Sequence, residues 1–426
     1  MSAQIVFLTL FLGLTSGVQP VALHVDGPVK SIRLLLGGRQ VAALKGPPWS
    51  TTIDFGPLAP RRLEAIAYDA SGDEIARASQ LLNLPKPTAE FEIALENDGS
   101  TAALRWQHLM HLKPKSATLS VDGRPLSLGP DFRAALPKLD PLAPHILSAE
   151  MMFEDGFVGR KELVIQGLRS DSTGTELSPV LFWQSRAKPM ANPADCFSID
   201  GRPVRVSAVE KPRAVVVIVQ EPFPGEAIEK FEFFLRAQSS VGTIHRFPLA
   251  DDTWERLQWP IAESYGNEES TSVLFARSVD MPAQQGGMVW LLTRSFEDRK
   301  RLDDPRRFAD AVAVAGLNAT AGGLRRAVVL VLDWHKDASR YDPKAVREYL
   351  AALRVPLVLW SLSGPRPDVA DSWGEVQDIS SAAKLEKATE QLRRMLDSER
   401  VAWLATDPLT ALHAAVKEEC GLQPTR

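Results

Sequence analysis

The chain has 426 residues, 45% of them hydrophobic and 24% charged, the balance of a soluble globular protein too long for one ordinary core. Its 49 basic and 53 acidic side chains leave a net charge of -4, without the basic field that gathers nucleic acid or an anionic membrane surface. No run of Lys and Arg is interleaved with aromatics, and two cysteines with seven scattered histidines do not make a structural zinc site.

The N-terminal stretch MSAQIVFLTLFLGLTSGVQP carries an apolar run from Ile5 to Leu14, too short to cross a bilayer as a helix. Thr15-Ser16-Gly17 then supplies the small residues of a signal-peptidase site. Residues 1–17 are therefore expected to be a signal peptide, with an n-region lacking Lys and Arg; the other reading is a buried first strand. No Cys follows to take a lipid, and no later segment is apolar for long enough to span a membrane. A secreted or periplasmic protein with no transmembrane segment in its mature chain is expected. Export permits a disulfide between Cys196 and Cys420, but two distant cysteines are not paired by sequence.

Short alternating segments bounded by turn residues follow, such as Ser31 to Leu36, Thr118 to Val121 and Glu162 to Ile165. LAPRRLEAIAYDASG (58–72) matches LAPHILSAEMMFEDG (142–156), and LGGRQVAAL (36–44) echoes VDGRPLSL (121–128). A repeat of roughly 80 residues is a whole small sandwich, not a solenoid unit. Two immunoglobulin-like domains are expected, residues 18–86 and 87–168, joined near Leu84-Pro85-Lys86-Pro87. Neither holds a constellation of catalytic residue types.

Residues 169–175 are polar and read as a linker. Beyond them the pattern becomes α/β. Ala214 to Val219, Val289 to Leu292, Val328 to Leu332 and Pro356 to Trp360 are apolar runs suited to strands covered on both faces. Helical spacing appears at Ala227 to Ala237, at Phe308 to Ala315, after Asp342-Pro343, and through Leu385, Ala388, Leu392 and Met395. Strands alternating with helices imply a doubly wound parallel sheet. It is expected over residues 176–406, with residues 407–426 as a C-terminal helix and tail.

Three segments of this part resemble the von Willebrand factor type A family, in the divergent form of exported acidobacterial proteins. They are the lead-in Ala194 to Val206, the helix start Phe308-Ala309-Asp310-Ala311-Val312, and the strand Arg325 to Asp333. The resemblance implies a metal-ion-dependent adhesion site, built from an Asp-x-Ser-x-Ser turn, a Thr before the third helix and an Asp after the fourth strand. It also implies a protein partner offering a carboxylate to the metal. In this sequence the first turn reads Gln220-Glu221-Pro222-Phe223-Pro224, so prolines stand where both hydroxyls belong, and Arg306 takes the Thr position. Only Asp333 remains. A fixed guanidinium repels a divalent ion, so the site is read as degenerate and no cofactor is expected.

Asp333, His335 and Asp337 form a second possible set of metal ligands. The alternatives are a solvated loop, or an ion pair of Asp333 with Arg306. No nucleophile elbow, P-loop or dinucleotide fingerprint occurs. The expected function is thus non-catalytic: cation-independent docking of a protein at the carboxyl edge of the sheet, through Glu221, Phe223, Arg306, Asp333, Trp334 and His335. The rivals are a divalent-metal-dependent binding protein using Asp333, His335 and Asp337, and an enzyme on the same scaffold.

Overall fold

The computed structural model describes residues 3–97, 99–140, 143–166, 173–185, 193–220, 249–261, 275, 281–283, 305–332, 337–364 and 371–425. In the first domain, Gln4–Phe7, Val18–Asp26 and Ser50–Asp54 make a three-stranded sheet. It faces a four-stranded sheet in the order Arg39–Leu44, Ser31–Leu36, Arg61–Tyr68, Glu74–Leu82. The core between them holds Ile5, Phe7, Val21, Ile32, Leu34, Phe55 and Leu63.

The second domain repeats this plan. Arg133–Ala135, Thr101–His108 and Ala89–Glu96 form its three-stranded sheet. Arg124–Leu126, Pro114–Val121, Pro144–Phe153 and Val158–Gln166 lie in order on the other side. The two segments that repeat in sequence are the same two places in each sandwich. Residues 36–44 and 121–128 are the hairpin in the four-stranded sheet, and residues 58–72 and 142–156 contain the strand beside it. The hairpin loops need positive φ at both central positions, supplied by Gly37-Gly38 (58° and 79°) and Asp122-Gly123 (49° and 76°). Both domains are immunoglobulin-like β-sandwiches of antiparallel strands.

Residues 3–17, expected as part of a signal peptide, are packed here as part of the first sandwich. Gln4–Phe7 pairs antiparallel with Val18–Asp26, from Gln4 opposite Asp26 to Phe7 opposite Leu23. Ile5 and Phe7 enter the core, while Val6, Leu8, Leu10 and Leu12 stay exposed. Both faces of the segment are apolar, which is why it reads as one uninterrupted hydrophobic run. Further on, Thr15 N–H donates to Asn83 Oδ1 at 2.7 Å, Gly17 N donates to the Gly56 carbonyl and the Gly17 carbonyl accepts from Phe55 N. The first sandwich thus begins well before residue 18.

Of the expected linker 169–175, residues 173–175 are described and are strand. Thr173–Gln184 is one strand that pairs with Val158–Gln166 at its start and with Glu399–Ala405 along the rest of its length. Val206–Glu210 extends the same sheet beyond Glu399–Ala405. The four-stranded side of the second sandwich therefore runs without a break into the third domain. The C-terminal residues belong to this layer too. Leu422–Pro424 pairs with Thr173–Gln184, and Cys196 is disulfide-bonded to Cys420 across a separation of 224 residues.

The third domain contains a six-stranded sheet in the order Met281–Pro282, Thr253–Gln258, Ala214–Val219, Arg325–Leu332, Leu357–Ser361, Gln377–Asp378. All neighbours are parallel except the first pair. Ala214–Val219 is buried at every position because both faces are covered. Val215, Val217 and Val219 meet helices Phe308–Ala319 and Pro343–Ala352, while Ala214, Val216 and Ile218 face helix Ala382–Ser398. The first two helices approach closely at Gly316, where an added Cβ would lie 2.8 Å from a Leu350 methyl. Asp342 caps the second of them, accepting from Lys344 N at 2.8 Å, with Pro343 at its first position.

The first sandwich packs against this domain rather than hanging free. Leu58 and Leu84 join the same core as Tyr349 and Leu350, and the Tyr349 hydroxyl donates to the Asn83 carbonyl at 2.9 Å. Tyr341 and Arg340 donate to the carbonyls of Leu14 and Ser16.

Candidate functional site

The carboxyl edge of the parallel sheet is where sequence places the docking surface. Glu221, Phe223, Asp333, Trp334 and His335 lie outside the described residues, as do Pro222 and Pro224. Gln220, Arg306 and Asp337 are described. Gln220 is buried, and its N–H donates to the Gln258 carbonyl at 3.2 Å. The Gln258 side-chain amide in turn donates to the Ala311 carbonyl at 2.7 Å, tying the strand end to helix Phe308–Ala319.

Arg306 is buried just before that helix, and its carbonyl accepts from Ala338 N at 2.7 Å. This brings the Arg306 backbone against the loop that follows Arg325–Leu332. Two carboxylates then cross-link the loop and the helix start. Asp337 accepts from Phe308 N at 3.0 Å and Ala309 N at 3.1 Å, and from the backbone and hydroxyl of Ser339 at 3.0 and 2.5 Å. Asp310 answers from the helix, accepting from Arg340 N at 3.0 Å and Tyr341 N at 3.1 Å. Ser339 Oγ also accepts from Asp310 N at 3.0 Å.

Asp337 therefore does the work of a helix cap, satisfying two of the amides that a helix start leaves open and placing negative charge at the positive end of the helix dipole. Three of these bonds fall on Oδ1 and one on Oδ2, so Asp337 is committed to protein donors at both oxygens. Among the described residues, no group of three or more His, Cys, Asp or Glu is placed to hold a metal ion. The donor set that the type A resemblance calls for does not fit the residues present, because two prolines and an arginine replace its hydroxyls. The carboxylate clasp was not foreseen in the sequence; its one visible signal was the Asp337-x-Ser339 pair beside a helix start.

At the opposite edge, where the parallel strands begin, the three domains enclose a cleft of about 760 Å³. Its walls are the junction around Lys86 and Pro87, the turn Glu154-Asp155-Gly156-Phe157 of the second sandwich, and the strand starts at Arg213, Trp254 and Arg326. The turn is anchored on its own side. Thr88 Oγ1 donates to Asp155 Oδ2 at 2.7 Å, and Phe157 N donates to Asp155 Oδ1 at 3.0 Å. Met110 N donates to His108 Nδ1 at 3.0 Å, which fixes the tautomer in which Nε2–H points to Asp155, 3.2 Å away. Burial opposes ionisation of Asp155, but the bonds from Thr88, Phe157 and His108 prevail and hold its carboxyl below the usual value.

Buried charge lies behind the cleft. Arg325 donates to the Leu396 carbonyl at 2.8 Å, to the Pro212 carbonyl at 2.5 Å and to Asp252. Arg326 donates its N–H to Glu399 Oε2 at 3.0 Å and its terminal nitrogens to the carbonyls of Thr320 and Leu353. Burial lowers the guanidinium of Arg326 to about 10. Arg354, also lowered to about 10 by burial, donates to the carbonyls of Leu412 and Ala414 and stacks over Phe182 at 4.6 Å.

No family model and no curated protein matches the chain. Solved structures similar to parts of it include fibronectin III modules and several glycosidases, the latter matched over a quarter or less of their chains. Fibronectin(III)-like modules of Clostridium thermocellum CbhA share 11% identity over 18% of this chain and 93% of theirs, with a TM-score of 0.17. The central fibronectin-III array of RIM-binding protein shares 11% identity over 44% of this chain and 80% of its own, at 0.21. The Bacteroides ovatus mixed-linkage glucan utilization protein SGBP-B, solved with a heptasaccharide, shares 13% identity over 49% of this chain and 58% of its own, at 0.15. The sandwich assignment rests on strand order and pairing, since these scores are low. Among the described residues no helix is long and apolar enough to cross a membrane.

Proposed function

We propose that the chain is a non-catalytic docking protein, in which immunoglobulin-like sandwiches support a von Willebrand type A-like domain that binds a protein partner without a cation. The sheet order supports the type A reading, being that of a doubly wound fold whose ligands approach the carboxyl ends of the strands. The carboxyl-edge surface is taken to comprise Glu221, Phe223, Arg306, Asp333, Trp334 and His335. The observation that carries cation independence is the donor set: Pro222, Pro224 and Arg306 stand where hydroxyl ligands belong, and Asp337 spends hydrogen bonds on the start of helix Phe308–Ala319. Secretion or a periplasmic location is part of the same reading, supported by the Cys196–Cys420 disulfide, since such bonds persist in oxidising compartments.

The test is a thermal melt of the whole chain in chelator, then in millimolar Mg²⁺, Mn²⁺, Ca²⁺ or Zn²⁺. No ion is expected to move the midpoint, whereas an ion at 100 times its dissociation constant adds about 2.7 kcal/mol. Stabilisation by one ion, abolished by Asp333→Ala, would overturn the reading in favour of metal-dependent adhesion.

A further inference from the structure

The cleft at the amino edge of the parallel sheet has no part in the docking surface, and its charge is opposite to that of the whole molecule. The chain carries a net charge of -4. The cleft lining has six basic side chains, Lys86, Arg160, Lys161, Arg213, Arg256 and Arg326, against three acidic ones, Glu90, Glu154 and Asp155. Of the acids, Asp155 is engaged by Thr88, His108 and Phe157. Of the bases, Arg160 is paired with Glu150 and Glu210.

Among the described residues, Lys161 and Arg213 have no such ion pair. The Arg213 guanidinium lies over the Trp254 ring at 5.5 Å, and the Lys161 ammonium is 6.0 Å from the Phe91 ring centre. An aromatic face holds a cation in place without cancelling its charge. Arg326 lines the same cleft while almost wholly buried, and its Nε has no hydrogen-bond partner among the described residues. Its acidic neighbour Glu399 accepts from the Arg326 backbone N–H through Oε2 and offsets part of the guanidinium charge. An incompletely satisfied guanidinium in a low-dielectric site is costly, and an oxyanion is its best complement.

We propose that this interdomain cleft is a binding site for a small multivalent oxyanion, bearing carboxylates or phosphates, contacted by Arg213 and Lys161, with Arg326 in the same lining. The volume of about 760 Å³ suits a small organic ligand. Lys161 belongs to the second sandwich and Arg213 to the lead into the parallel sheet. A ligand bridging them also braces one domain against the other.

The experiment uses the full chain with pyrophosphate and citrate as separate probes, each at about 1 mM, well below the levels at which such salts stabilise proteins by exclusion. NaCl at equal ionic strength is the control. At least one probe is expected to raise the unfolding midpoint and to bind by calorimetry. Binding should weaken at least tenfold in the Arg213→Ala/Lys161→Ala variant, whose midpoint without probe reports whether it is folded. A response to pyrophosphate alone assigns a phosphoryl ligand, and a response to citrate alone a polycarboxylate. If neither probe binds, or if the folded double variant binds as well as the original chain, the proposal is wrong. Arg213→Lys, which keeps the charge, should retain more binding than Arg213→Ala.

Discussion

Glu255 is buried in the middle of the second parallel strand, beside Val216 and opposite Met281, and neither of its carboxylate oxygens has a hydrogen-bond partner among the described residues. Burial alone raises its carboxyl from an ordinary 4.5 to about 8. In the folded chain it keeps its proton to higher pH than in the unfolded chain. Between the two values the native state binds more protons, so stability falls as pH rises through that window. The slope from this group is at most about 1.4 kcal/mol per pH unit. Glu255→Gln should flatten the decline between pH 5 and 8 and make the variant the more stable form at pH 8, as read by denaturant unfolding. A parallel decline in both proteins would show that Glu255 is ionised in the fold. At the same scale, Asp337 shows why a candidate ligand set is hard to judge from spacing. An acidic residue two positions from a serine looks the same in sequence whether it meets a cation or four protein donors.

Single elements differ in how plainly the sequence declares them. The hairpin glycines and the Asp342-Pro343 helix start are legible because local backbone chemistry demands them: positive φ for Gly37-Gly38 and Gly123, an N-cap and first-turn proline for helix Pro343–Ala352. The first strand is not legible in the same way. With Ile5 and Phe7 inward and Val6 and Leu8 outward and exposed, it lacks the alternation that marks a half-buried strand. Its role can be tested directly. Burial of an Ile and a Phe side chain contributes about 3–6 kcal/mol together, and residues 14–17 also contact Asn83, Arg340 and Tyr341. A chain beginning at residue 18 should therefore melt markedly lower than the full chain, with faster hydrogen exchange in Val18–Asp26. Equal midpoints would mean that the first strand contributes nothing to the fold.

The whole molecule was the least readable scale. The polar residues 169–175 carry no sign that the chain re-enters a sheet at Thr173, because most of that strand, from Leu177 on, pairs over 200 residues away at Glu399–Ala405. Arg325 and Arg326 look like a solvated start to a strand, yet both are buried, bonded to carbonyls from Pro212, Leu396, Thr320 and Leu353. Such contacts are fixed by tertiary neighbours and leave no periodic trace. The disulfide belongs to this scale as well. A loop of 224 residues gives a closure entropy worth roughly 5 kcal/mol in the chain-entropy account. Cys196→Ser/Cys420→Ser, or reduction of the original chain, should lower stability by an amount of that order, and an unchanged midpoint under reducing conditions would show that the cross-link is not formed in solution.

The strand Thr173–Gln184 gives the molecule a mechanical character that neither half has alone. It is hydrogen-bonded to the sandwich at one end and to the third domain along the rest. A pull transmitted between those domains meets a ladder of backbone bonds lying along the strand, instead of a flexible hinge. A tether of this kind keeps its length under load, so a partner seized at one end is held at a set distance from whatever the other end touches.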